Sequence, residues 1–464
     1  MVSMLDLAVV NGDVFIEGAF RKADIGIKDG KFALISEPGA LPEAAKVIDA
    51  KGKHVLPGNI DTHMHIRDPG HAERGTFITE SRAAAAGGCT TYFEHPISIP
   101  PQHNAKILHN RMNLAKAGST VDYCFFGAAG GEYTQDIVPL SKEGVIAYKT
   151  FLHQAPEGRE LEFDGLTSAT NSQLMDVMKE VAKTGICLAA HAEDNELITG
   201  NIAKLRAEGR TDYIAHCESR PPITEIEAIA KMLRFGEETG CPIELVHVST
   251  CGAMELAKQA KLKGQKVFVE TCPHYLLLTE EDVKKFGPYA KCNPALRSLE
   301  EVQGLWKYVL DGTVDFIGSD HSPFLVEEKE RGKSDIFKAT SGFPGVDLRL
   351  PLMVNEAQKG RISLEKVVEL LSVNPAKCFN IFPQKGTISA GADADLAIID
   401  LNKETTVDWH KNYSHAKEIA KVYDGWKLAC SVDYTLVRGR VVMENGVVDE
   451  SASGWGEFVR PVSK

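Results

Sequence analysis

Eight short apolar runs, spaced along the middle of the chain with helical patterns between most of them, constrain the fold more than any other feature. They lie at 60–62, 90–93, 121–126, 145–148, 186–190, 243–246, 267–269 and 314–317. The helical patterns between them include 171–184, 223–239, 252–263 and 298–310. Parallel strands need long crossovers, usually helices, so strand–helix alternation predicts a parallel sheet. Eight such units match the count of a (β/α)8 TIM-like barrel. Two later helical patterns, 347–359 and 364–379, extend it. Within 223–239, Thr224 and Glu227 have the spacing of a capping box, which would open that helix at Thr224.

The two ends of the chain have a different texture. Strand patterns at 7–10 and 25–27 are separated by the turn signals Asn11-Gly12 and Asp29-Gly30. The same texture returns at 394–399, 434–437 and 441–442. An α/β core between two β-rich ends predicts one small β-sandwich domain built from both termini. The expected division is 1–54 for its N-terminal part, 55–382 for the barrel and 383–464 for its C-terminal part and tail.

Bulk properties narrow the function. A chain of 464 residues is too long for one small core. A net charge of -12 disfavours nucleic acid and anionic membrane as partners, because both would repel it. The ten cysteines are scattered with no CxxC pair, which argues against a thiolate zinc site or a disulfide framework and fits a reducing compartment. No stretch is apolar enough to span a bilayer. The opening MVSMLDLAVVNGDVFIEG alternates like a strand and has no basic region before an apolar run, so a cytoplasmic protein is expected.

In a barrel of this kind chemistry sits at the C-terminal ends of the strands. The first strand runs into His63-Met64-His65, whose two imidazoles share one side of an extended chain. The fourth runs into Lys149, the fifth into His191, the sixth into His247 and the eighth into Asp320. The second, third and seventh deliver no ligand in this reading. Each residue alone has an ordinary structural explanation: a buried imidazole, a helix cap, a lysine reaching for solvent. Their joint arrival at strand ends points to a metal centre.

The residue types suit two divalent ions, with zinc the default for imidazole and carboxylate ligands. Two close cations need an anion between them. An ammonium cannot serve, so Lys149 joins the site only after carbon dioxide has carbamylated its amine. Bound metals lower the pKa of water towards neutrality. Asp320 can then hold a metal, take the proton of the attacking water and pass it to the leaving amide nitrogen.

The segment 57–65 (PGNIDTHMH) resembles the opening signature of the cyclic amidohydrolases, which include dihydroorotases, allantoinases, hydantoinases and dihydropyrimidinases. Further matches follow in order at 82–91 (RAAAAGGCTT), 191–193 (HAE), 270–276 (ETCPHYL), 318–323 (GSDHSP) and 391–396 (GADADL). The resemblance implies that His63, His65 and Asp320 hold one metal, that His191 and His247 hold the other, and that carbamylated Lys149 bridges them. It also implies a small cyclic amide as substrate and a homo-oligomer, dimer or tetramer.

Within the family the signals divide. Arg67, two residues after the HxH pair, and Asn293 in 291–298 (KCNPALRS) resemble substrate-binding positions of dihydroorotases, and a guanidinium fork suits a carboxylate. The segment 94–101 (EHPISIPP) lacks the asparagine of that pattern. The stretches 287–289 (GPY), 345–351 (GVDLRLP) and 384–387 (QKGT) look more like hydantoinases, while His274 leans towards allantoinases. The ranking is hydantoinase-like first, allantoinase second, dihydroorotase third. His153 and His274 read as structural, and His95 and His321 as facing away from the site, since neighbours on a strand face opposite ways. Two other classes are set aside. A non-catalytic scaffold would not need all six ligand positions filled, and a mononuclear deaminase would not need Lys149.

Overall fold

The computed structural model describes residues 4–462. All eight apolar runs become strands of one parallel sheet whose order follows the sequence. The strands are Asn59–Met64, Cys89–Glu94, Asp122–Ala128, Ala147–Phe151, Leu188–His191, Ile243–Leu245, Val267–Thr271 and Phe316–Ile317. Met64 and His321 form a parallel bridge that joins the first strand to the end of the eighth. There His65 N–H donates to the His321 carbonyl at 2.9 Å. Closing the sheet on itself satisfies edges that an open sheet would leave bare.

Between the strands the expected helices form at Asn171–Ala182, Pro222–Thr239, Cys251–Leu262 and Leu299–Leu310. One start differs from expectation. The helix read as opening at Thr224 begins a turn earlier, with Pro221 as N-cap and Pro222 in the first helical position. Proline loses no helical hydrogen bond there. Thr224 instead sits inside that turn and donates its hydroxyl to the Pro221 carbonyl at 2.9 Å.

Phe93, Phe126, Phe316 and Phe379 belong to an apolar cluster that fills the lower barrel.

Both termini build the second unit, one nine-stranded sheet. Its long first strand, Leu5–Ile16, pairs with Ala19–Lys28 on one side. On the other it pairs with Ala44–Asp49 and then with His54–Pro57. The C-terminal strand Leu396–Asp400 lies antiparallel to His54–Pro57, so the ends of the chain share one core that includes Val14, Ile25, Val55 and Ile398. The tail then returns to the barrel. Tyr123 N–H donates to the Glu457 carbonyl, and Val459 N–H to that of Tyr123.

At the junction of sheet and barrel, buried Lys385 Nζ donates to Asp395 at 2.7 Å and also to Asp122, with Asp393 at 3.0 Å. Arg438 adds a second cation on Asp122.

Candidate metal centre

His63, His65 and Asp320 meet at the top of the barrel, each offering one ligand atom within 4.8 Å of the others. Asp320 Oδ1 lies 3.4 Å from Nε2 of His63 and 3.4 Å from Nε2 of His65. Beside them, His191 Nδ1 faces His247 Nε2 at 3.1 Å. The His191 Nε2 hydrogen is committed to Glu193 at 2.8 Å, so His191 Nδ1 presents a lone pair. Two nitrogens each about 2.1 Å from a tetrahedral ion would stand about 3.4 Å apart, close to this separation. Lys149 Nζ is fully buried with no hydrogen-bond partner, and the same holds for Nε2 of His63 and Nδ1 of His247. Orphaned polar atoms are costly in a folded interior unless something absent from the protein chain completes them. The donor set fits divalent metal.

Burial sets the charge states. It holds His63, His65 and His247 well below the ordinary imidazole range, which leaves them neutral with lone pairs to offer. It also pushes the Lys149 ammonium down and the Asp320 carboxyl up. A neutral amine can be carbamylated where an ammonium cannot.

The surrounding fold fixes these groups. Asp61 Oδ1 accepts from His63 N–H at 3.2 Å and from Ser319 N–H at 3.0 Å, locking the HxH strand to the strand that carries Asp320. Glu193 is held by Arg220 at 2.5 Å. His247 and Asp320 both adopt left-handed backbone, with φ of 43° and 49°. Non-glycine residues seldom do so, and such strain gathers at functional sites.

Two strands expected to deliver no ligand still help to build the site. Glu270, on the seventh, accepts from His63 Nδ1 at 2.7 Å, from His247 N–H at 3.2 Å and from the Thr62 hydroxyl at 2.5 Å. This one carboxylate fixes a ring on one side of the site and a backbone on the other. His95, directly after the second strand, stacks on His63 with centroids 3.7 Å apart and planes at 11°. The expectation that it faces away is therefore overturned. His321 does turn outward, to Glu80 at 2.6 Å. His153 donates from Nδ1 to the Gln154 carbonyl at 2.6 Å, with its ring 5.4 Å from that of His191. His274 is buried with an unpartnered Nε2.

Arg67 is not a solvated loop arginine. It is 1% exposed, donates only to the carbonyls of Pro323 and Ile97, and stacks on Phe324 at 4.7 Å. Among the described residues no carboxylate forms an ion pair with it. Arg74 and Arg159 crowd the same ring at 5.3 and 5.4 Å, but both are paired with Glu162, and Arg74 also with Glu328. Asn293 is half-buried with Oδ1 unpartnered, beside a segment pinned by Lys329 Nζ on the Lys291 carbonyl at 3.0 Å.

A barrel with a buried donor cluster at its strand ends and a terminal β unit fits a metal-dependent hydrolase, and residues 54–442 match the model of the amidohydrolase family, to which this chain belongs. It is 37% identical to an L-hydantoinase of Paenarthrobacter aurescens, over 98% of each chain. It is also 34% identical to an allantoinase of Deinococcus radiodurans, over 99% of each. Among solved structures, L-hydantoinase (dihydropyrimidinase) from Arthrobacter aurescens superposes with a TM-score of 0.93 at 36% identity, covering 98% of this chain and 100% of the other. A D-hydantoinase superposes with a TM-score of 0.90 at 31% identity, covering 98% and 99%. No helix among the described residues is long and apolar enough to cross a membrane.

Proposed function

We propose that this enzyme hydrolyses the C–N bond of a cyclic amide, a hydantoin or dihydropyrimidine ring first and allantoin second. The observation that carries this reading is the set of buried, unpartnered nitrogens around Asp320. His63, His65 and Asp320 would hold one divalent ion, His191 and His247 the other, and Lys149, carbamylated by carbon dioxide, would bridge them. Zinc is the metal of choice for these ligands. The ions supply, when bound, a polarised carbonyl and a water acidified towards neutrality. Asp320 takes the proton of the attacking water and delivers it to the ring nitrogen as the C–N bond breaks. Glu270 holds the His63 ring by its Nδ1 hydrogen, which leaves Nε2 free for metal. The site belongs to the barrel, whose expected bounds are 55–382, although strand His54–Pro57 pairs within the terminal sheet. A dimer or tetramer in the cytoplasm completes the reading on family resemblance.

Arg67 favours a second reading. A buried guanidinium without an ion-paired carboxylate suits a ring that carries one, and Asn293, with its Oδ1 unpartnered, is the second residue of that reading, as in a dihydroorotase. A ring-opening assay of metal-loaded enzyme separates the two. Hydantoin, its 5-substituted forms, dihydrouracil and allantoin are compared with dihydroorotate. Preference for neutral rings supports the first reading, and preference for dihydroorotate replaces it with the second.

A further inference from the structure

His95 has a task that the six ligand positions leave open. Its side chain is fully buried, and it lies between the His63 ring and the Phe126 ring, whose centroids are 3.7 and 3.9 Å away. Its Nε2 lies 3.0 Å from the Thr62 carbonyl. A carbonyl has no hydrogen to give, so Nε2 carries the ring hydrogen and Nδ1 is left with a lone pair. That lone pair has no partner. Apolar residues would fill this slot at no polar cost, so a buried unpaired acceptor asks for a donor.

The stacking says which donor it is not. An imidazole binds metal in the plane of its ring, about 2.1 Å from the nitrogen. With planes 11° apart and centroids at 3.7 Å, an ion in the plane of His63 lies well off the plane of His95. His95 therefore does not share the ion of His63. Lys149 Nζ, by contrast, is a buried N–H donor without an acceptor. On the fourth strand it pairs with Ala128 of the third, two residues along the same strand face from Phe126, the ring against which His95 packs.

We propose that His95 Nδ1 accepts the remaining Nζ–H of carbamylated Lys149, so that His95 is a positioning residue for the bridge. This rests on the lysine-bridge reading above. In carbamylation the Nζ lone pair bonds the carbon of carbon dioxide, one C=O pair moves onto oxygen and one Nζ proton leaves. The nitrogen keeps a single hydrogen in the plane of the new carbamate. An acceptor for that hydrogen fixes the plane, and with it the directions in which the two carbamate oxygens point.

The test reloads metal-stripped full-length enzyme with zinc across a series of ¹³C-bicarbonate concentrations. It reads the ¹³C carbamate signal and the bicarbonate level that gives half-maximal zinc uptake. His95→Phe and His95→Met keep an apolar filler without a lone pair, and thermal unfolding identifies which of them folds. Either one is expected to need about tenfold more bicarbonate, the effect of one hydrogen bond left unmade. His95→Asn, which keeps an acceptor, is expected to recover part of the loss. An unchanged bicarbonate midpoint in a folded apolar variant overturns the role of His95. Wild-type enzyme that takes up zinc with no carbamate signal overturns the lysine bridge itself.

Discussion

Two buried lysines in this molecule sit among carboxylates, and the contrast between them separates function from architecture. Lys385, at the junction of sheet and barrel, reaches Asp122, Asp393 and Asp395, and Arg438 adds a second positive charge. Its surroundings hold its ammonium above the ordinary range despite burial, because three acids stabilise the charge. Lys149, at the top of the barrel, is as deeply buried, has no hydrogen-bond partner and is pushed the other way. Both are costly to desolvate. The first is compensated inside the chain, while the second is left open beside imidazoles that are also unpartnered. A buried charge thus does not mark a site. A buried group with its partners missing does.

The largest effect expected on this contrast comes from Lys149→Ala. Metal analysis should show loss of the paired ions, and turnover should fall at least about a thousandfold; two ions per chain in the variant would undo the bridge. Asp320→Asn should keep metal but slow ring opening by about a thousandfold, the usual weight of a general acid–base. A near-normal rate would remove it as the proton carrier. Lys385→Met should instead cost about 3–5 kcal/mol in denaturant unfolding, since it strands buried aspartates. The folded fraction should turn over normally, and lost activity at full stability would break the comparison from its structural side.

A smaller effect concerns the loops at the barrel mouth. Burial pushes the Glu162 carboxyl up, but Arg159, Arg67 and Arg74 outweigh it and hold the group at about 2. A depressed acid stabilises the fold above its unfolded value of 4.5, and that stability is lost as pH falls from there towards 2. The contribution is roughly 3 kcal/mol at neutral pH. Acid unfolding of Glu162→Gln should be correspondingly flatter over that window, and an identical curve would deny Glu162 the role. Smallest is Arg67→Met, expected to raise KM about tenfold for acidic rings and little for neutral ones. Equal loss on both would make Arg67 a purely structural cation.

The strands were legible because each is an apolar run bounded by turn or helix signals, and the six candidate ligand positions were legible because they lie within three residues of the ends of those runs. Glu270 was not. Its partners are His63 and His247, far away in sequence, and only barrel closure brings the three together. His95 shows a subtler loss. Alternation along the second strand held, but the inward face is that of Phe93 and His95, while Glu94 turns outward to Arg111 at 2.7 Å. Period two gives the two faces without saying which is inside. Thr224 lost its expected cap to Pro222, whose fixed φ starts the helix sooner.

The most direct test of the central claim is the metal content of wild-type enzyme after incubation with zinc and bicarbonate, measured by elemental analysis against protein concentration. The account predicts two zinc ions per chain, bound tightly enough to survive gel filtration. One ion or none, in enzyme that opens cyclic amides at full rate, would contradict it.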